Sequence, residues 1–180
     1  MIDELNTALG DYRKKWQALI KTRQNKQFFE GLKPTAIGWK TTDRAEYDRL
    51  CAELHDLAGH IVETWMNGRW TAKFHLRDSK LTGFGSDIEI IKIMQRRPGS
   101  TDAVGLDHVD FYSEEVADAE QILQDEPDLK WTNETNDIIA GYGWISLWFN
   151  GTEAKLKSDT VLDIIRAELQ EVSDKIKSKD

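Results

Sequence analysis

Apolar residues at Ile2, Leu5, Leu9, Tyr12, Trp16 and Leu19 alternate steps of three and four, giving one apolar stripe on a helix of about twenty residues. The same spacing returns between Thr160 and Lys177 through Leu162, Ile165, Leu169, Val172 and Ile176. Lysines gather late there, where the helix dipole favours cations. Both stripes must bury against something. Helices closing a sheet are the simpler expectation, and a partner-binding coil is the other. Between them lies a duplication in which a strand and a following helix at Thr35 to Leu57 recur at Leu106 to Gln124. Ile37 falls on Val109, Trp39 on Phe111, Thr41 on Ser113 and Leu50 on Ile122 at a constant offset without a gap. In each copy alternating residues read as a strand, and a small polar residue then opens a segment of helical periodicity. Asp43 and Glu46 form a capping box for the first internal helix, Gly59 is its expected stop, and Ser113 is the expected cap of the second.

Strand patterns follow each helix: Ile61 to Met66, Trp70 to His75 and Asp87 to Met94, then Leu129 to Asn133, Gly143 to Phe149 and Glu153 to Lys157. Asn67-Gly68 and Asn150-Gly151 each lie between apolar strands, where both turn positions need positive φ, so two tight hairpins are expected. Pro98 and Gly99 supply a turn joining the halves. The chain therefore reads as α+β: an N-terminal helix at 1–30, βαβββ modules at 31–97 and 98–158, and a C-terminal helix at 159–180. The two modules form one cupped mixed or antiparallel sheet within one cooperative domain, with the terminal helices packed on it.

Composition narrows the function more than the fold. A net charge of −8, with no basic run longer than Arg96-Arg97, argues against a nucleic-acid partner. No apolar run approaches the ~20 residues that a membrane span requires. The start, an amphipathic helix with early acids, does not read as a secretion signal, so a cytoplasmic protein is expected. The single cysteine, Cys51, sits beside Leu50 and Leu54 at an apolar helical position and is assigned to the core. No Gly-rich phosphate loop, paired cysteines or His-Glu-x-x-His helix occurs. His55, His60 and His75 are scattered, and His75 with Asp78 reads as a solvated strand end.

Two βαβββ modules in tandem resemble the vicinal oxygen chelate superfamily of glyoxalases, dioxygenases and bleomycin-resistance proteins, over residues 33 to 158. The YecM-like branch, which also carries an N-terminal helix, is similar at Met66-Asn67-Gly68-Arg69, Lys73-Phe74, Pro98-Gly99, Asp107-His108-Val109 and Ala154-Lys155-Leu156. The resemblance implies a cup holding a divalent metal on His or Glu side chains from the first and last strands of each module. Oxygen and imidazole ligands suit iron, manganese, nickel or zinc.

Alternation places His108, Asp110 and Tyr112 on one face of their strand, with Val109 and Phe111 on the other. His108 is the ligand position the resemblance retains; a hydrogen-bonded strand histidine is the competing account. Its counterpart in the first module is Ala36, which has no donor. Glu89 is the candidate ligand on the last strand of that module, with Asp87 on the same face. Lys157 stands where a glyoxalase has glutamate, and an ammonium has no lone pair for a metal. Lys157 could instead pair with Glu89 or Asp110 across the cavity. Trp144, Ser146 and Trp148 share a strand face, where the tryptophans either offer a stacking surface for a planar ligand or pack under a terminal helix. Trp39 shares a face with Ile37, toward the first internal helix.

The leading expectation is a metal-free module that binds a small molecule, or has lost catalysis, in a cavity lined by His108, Asp110, Tyr112, Trp144, Trp148 and Lys157, with no cofactor. The alternatives are a metal-dependent isomerase, lyase or dioxygenase holding a divalent ion on His108 and Glu89, and an interaction scaffold using the terminal helices. A small molecule is the expected partner, with no nucleic acid or membrane, and the chain is expected to be a monomer or homodimer.

Overall fold

The two copies meet in the middle of one sheet. Strands β1 (Lys33–Lys40) and β5 (Gly105–Tyr112), which open the copies, pair antiparallel with Ile37 directly opposite Val109, its own counterpart. The structure, a computed structural model, describes residues 1–66, 68–77, 80–114, 118–135 and 142–177. Asn67 and Asp78, and the side chains of His60, Val172 and Ile176, lie outside the described residues. Each copy then builds outward in the same way. Strand β4 (Ile90–Met94) runs parallel to β1 and β8 (Thr152–Lys157) parallel to β5. Beyond β4 lie β3 (Arg69–Leu76) and the edge strand β2 (Ala58–Met66); beyond β8 lie β7 (Gly143–Phe149) and the edge strand β6 (Lys130–Thr135). The eight strands take the order β2-β3-β4-β1-β5-β8-β7-β6, the tandem βαβββ arrangement expected. Equivalent residues do equivalent work: the Thr41 N–H donates to the Met94 carbonyl at 2.9 Å, and the Ser113 N–H to the Lys157 carbonyl at 3.1 Å.

Alternation assigns the two faces. Ile37, Trp39, Ile91, Ile93, Val109, Phe111, Ala154 and Leu156 point to one side, where they form the main core with the helices. Helix α1 (Ile2–Ile20) buries Leu5, Leu9, Tyr12, Trp16, Leu19 and Ile20 there. The Trp16 ring stacks on Phe111 with centroids 4.6 Å apart, and Tyr12 meets Phe149 edge-on at 5.5 Å. The Tyr12 hydroxyl leaves this apolar layer satisfied, donating to the Glu153 carbonyl at 2.8 Å. Helix α3 (Arg44–His55) covers the first copy through Tyr47, Leu50 and Leu54, and the short α4 (Ala119–Gln124) adds Ala119 and Leu123 to the same core. Cys51 is half-buried against this core and free.

The C-terminal helix α5 (Val161–Lys177) lies on the opposite face. Val161 and Ile165 pack on Ala36, Val62 and Ile90, a second and smaller apolar cluster. Both terminal helices thus close a sheet, one on each side.

Local signals hold in part. Asp43 caps α3 by accepting from the Glu46 N–H at 2.9 Å, but the Glu46 carboxylate reaches the Thr42 N–H at 2.6 Å, one residue before the cap. Asn150 (φ 45°) and Gly151 (φ 72°) make the β7–β8 hairpin with both turn residues left-handed. Gly59 does not stop α3: the helix ends at His55, and Gly59 lies inside β2, at the irregularity where the register with β3 shifts between Ala58 and His60. Ser113 does not cap α4, because the helix begins only at Ala119, with Asp118 at its N-cap. The N-terminal segment breaks into α1 and α2 (Lys26–Gly31), which seats Phe28 and Phe29 in the core. The break is held by the buried carboxylate of Glu126, which accepts the Gln24 and Asn25 N–H groups at 2.8 and 3.0 Å. Asp87 to Glu89 stay out of β4, since Ile88 bridges Leu81 instead.

Candidate functional site

The face under α5 is lined with lysines that three strands deliver. Lys92 of β4 sits beside Gly38 of β1, Lys73 of β3 beside Lys92, and Lys155 of β8 beside Asp110 of β5. Lys157 follows two residues after Lys155, on the same face by alternation. Each would cost several kcal/mol to bury alone, so each meets a carboxylate. Asp110, fully buried at 0% exposure, takes Lys157 at 2.8 Å and Lys92 at close contact. Lys73 meets Glu168, which α5 lowers into the cup at 1% exposure. Lys155 lies 3.8 Å from Glu153, and Lys40 2.6 Å from Asp107. Burial, only partly offset by the neighbouring acids, holds the Lys73, Lys92 and Lys155 ammoniums below their ordinary range, Lys92 well below. Burial would raise the Asp110 carboxyl, but Lys157 and Lys92 overcome it and hold the group well below the usual carboxylate range.

His108 stands at the centre, 1% exposed. Its Nδ1 lies 2.9 Å from Asp107 Oδ2, while Asp107 Oδ1 receives Lys40. A carboxylate only accepts, so Nδ1 carries the proton and Nε2 presents a lone pair. The ring has room because residue 38 is glycine: a Cβ there would lie 2.3 Å from His108 Cε1. Burial, reinforced by Lys92 and Lys155, pushes the imidazole down to about 3, so it is neutral at physiological pH. Nε2 is buried without a hydrogen-bond partner, and Asp110 Oδ2 at 3.8 Å is too far to serve as one.

These groups surround a cavity of about 60 Å³ walled by Arg69, Lys73, Lys92, His108, Lys155 and Lys157, with Trp144 on one side and Val161 and Ile164 of α5 on another. A single water needs about 10–15 Å³, so the space suits a small molecule. The Trp144 ring is pinned by a relay: its Nε1 donates to Ser146 Oγ at 3.2 Å, and Ser146 to Glu153 at 2.6 Å. Lys155 and Lys157 ammoniums approach the ring centroid to 4.9 and 5.4 Å.

Of the residues expected to line a cavity, the structure brings His108, Trp144 and Lys157 to the wall, and Asp110 directly behind them. Tyr112, half-buried, and Trp148, which stacks under Lys130 at 5.4 Å, stand off it. Glu89 does not join His108. Left out of β4, it is 44% exposed, with its carboxylate 3.3 Å from both His75 and Lys80. Ala36 is buried under α5. The residues not anticipated are Arg69, Lys73, Lys92, Asp107, Glu153, Lys155 and Glu168. A lysine in the middle of Ile90-Ile91-Lys92-Ile93-Met94 was a readable signal, because so apolar a strand buries it and demands a countercharge.

Among the described residues, Asp107, His108 and Glu153 bring ligand atoms within 4.8 Å of one another, a potential metal-binding triad. No helix among the described residues is long and apolar enough to cross a membrane.

No family model matches the chain, and no curated protein does. Among solved structures, the chain is similar to a structural-genomics protein described as Protein EC4020, at 16% identity and TM-score 0.65, covering 92% of this chain and 93% of that one. It also matches the methylmalonyl-CoA epimerases of Streptomyces coelicolor (15% identity, TM-score 0.45, 70% and 97% covered) and Mycobacterium tuberculosis (14%, 0.48, 71% and 86%). The tandem βαβββ sheet is that of the vicinal oxygen chelate fold.

Proposed function

We propose that this chain is a cytoplasmic, YecM-like member of the vicinal oxygen chelate superfamily that binds a small anionic molecule in the cup without a metal. One observation carries the reading. Arg69, Lys73, Lys92, Lys155 and Lys157 bring five cationic groups to the cavity wall, against the three carboxylates of Asp110, Glu153 and Glu168, in a chain whose net charge is −8. Arg69 has no carboxylate within ion-pair distance among the described residues. Two positive charges are thus left for a ligand to neutralise, inside a site where burial strengthens the attraction.

The donor set does not fit a divalent cation. Asp107 is occupied by Lys40 and the His108 N–H, and Glu153 by Ser146 with Lys155 close by. Lys92 and Lys155 lie near enough to the open His108 nitrogen to depress its basicity, and each would repel a metal. The interaction-scaffold reading also loses a helix, since the α1 stripe is spent on the core.

Calorimetric or tryptophan-fluorescence titration with propionate tests the anion site, with Lys155→Met as the control. Saturable binding, weakened at least tenfold in the variant, is expected, and no binding would sink the reading. Elemental mass spectrometry on protein purified without chelators tests the metal: the expected content is far below one ion per chain. Stoichiometric metal that disappears in His108→Ala would favour the metal-dependent isomerase, lyase or dioxygenase instead.

A further inference from the structure

Resting on the anion site just proposed, we infer that the ligand is a short 2-hydroxycarboxylate whose hydroxyl donates to His108 Nε2 while its carboxylate meets the lysines. Lysine and arginine offer donors only, so they require an acceptor, which a carboxylate supplies. His108 asks for the opposite. Asp107, anchored by Lys40 at 2.6 Å, takes the Nδ1 proton at 2.9 Å and fixes the tautomer. Nε2 is then an acceptor without a proton and without a partner, on a ring that lines the cavity. A buried acceptor left unpaired costs free energy, so the ligand that belongs here brings an O–H or N–H of its own. An amine would carry positive charge into a wall that already has an excess of it. A hydroxyl adds the donor without the charge. The donor must sit close to the carboxylate, because Lys92 and Lys155 lie near enough to His108 to depress its basicity. The cavity of about 60 Å³ leaves room inside it for a short acid, and Trp144, tied to Ser146, forms one wall.

Lactate, propionate and pyruvate form a nearly isosteric set that differs only in presenting a hydroxyl, a hydrogen or a carbonyl at the second carbon. Lactate is expected to bind the wild-type protein about tenfold more tightly than propionate, the value of one such hydrogen bond, with pyruvate no better than propionate. Asp107→Asn then reads the mechanism. Lys40 keeps the amide oxygen, so the amide N–H₂ faces Nδ1, and the ring proton moves to Nε2. Preference should turn from lactate toward pyruvate. Should that variant fail to fold, the ¹⁵N resonance of His108 Nε2 in the wild-type protein serves instead, shifting with lactate and not with propionate. Equal binding of lactate and propionate would overturn the hydroxyl inference and leave the anion site standing. Binding of none of the three acids would overturn both.

Discussion

At the residue scale, the cup depends on a few positions that tolerate no neighbour and no loss. Gly38 is one, because a Cβ there would overlap the His108 ring. Gly38→Ala should displace the imidazole and cost about 1–3 kcal/mol, typical of overpacking, with loss of any lactate preference; urea unfolding and the titration above check both. Asp110 is another, holding Lys92 and Lys157 at once. Asp110→Asn leaves two buried ammonium groups facing each other, and a loss of about 3–5 kcal/mol is expected from urea unfolding. Adding Lys92→Met to that variant should recover part of it, since the repulsion goes with the charge; no recovery would mean that Asp110 matters for its shape alone.

At the scale of elements, the two terminal helices look alike along the chain and differ in what they cover. Helix α1 meets aromatic rings from β5 and β7 and belongs to the core. Among the described residues, helix α5 packs on the small cluster of Ala36, Val62 and Ile90, and carries Glu168 into the cup to reach Lys73. Fewer buried apolar contacts mean a lower free energy of local opening. Hydrogen exchange should therefore be faster in α5 than in α1. Glu168→Gln, which leaves Lys73 buried without its countercharge, should speed exchange in α5 by about tenfold or more while α1 changes little. Unchanged exchange in α5 would show that the ion pair does not hold the helix.

At the scale of the whole molecule, so many buried charged groups make stability depend on pH. His108 is pushed down to about 3 in the folded chain, against about 6.5 unfolded. Between those values the unfolded chain binds the extra proton, so stability rises with pH and is lost as pH falls from about 6.5 toward 3. The slope from one such group is at most about 1.4 kcal/mol per pH unit. The carboxyls of Asp107 and Asp110, both held low despite burial, add losses of the same sign once pH drops below the usual carboxylate range. Urea unfolding at about pH 5 and pH 7 should show the decline, and His108→Gln should flatten it above the carboxylate range. A profile with the same slope in the variant would assign the effect elsewhere.

What the chain determined by itself is what local periodicity and a gapless repeat can carry. Ile37 aligned with Val109 is a statement about two segments, and the structure pairs those residues face to face. The α1 stripe, the Asp43 cap and the Asn150-Gly151 turn follow from spacing and backbone preference within a few residues. Alternation alone put His108 and Asp110 on one face, apart from Val109 and Phe111. The tertiary structure decided everything that depends on a partner far along the chain. Glu126 breaks the first helix from a hundred residues away, and Ile88 leaves the ladder for Leu81, taking Glu89 away from His108. Which face α5 covers, and that Lys73, Lys92, Lys155 and Lys157 converge on one cavity, is set by strand order. A buried charge is tolerable only where another element supplies its counterion, and one-dimensional pattern holds no record of which element that is.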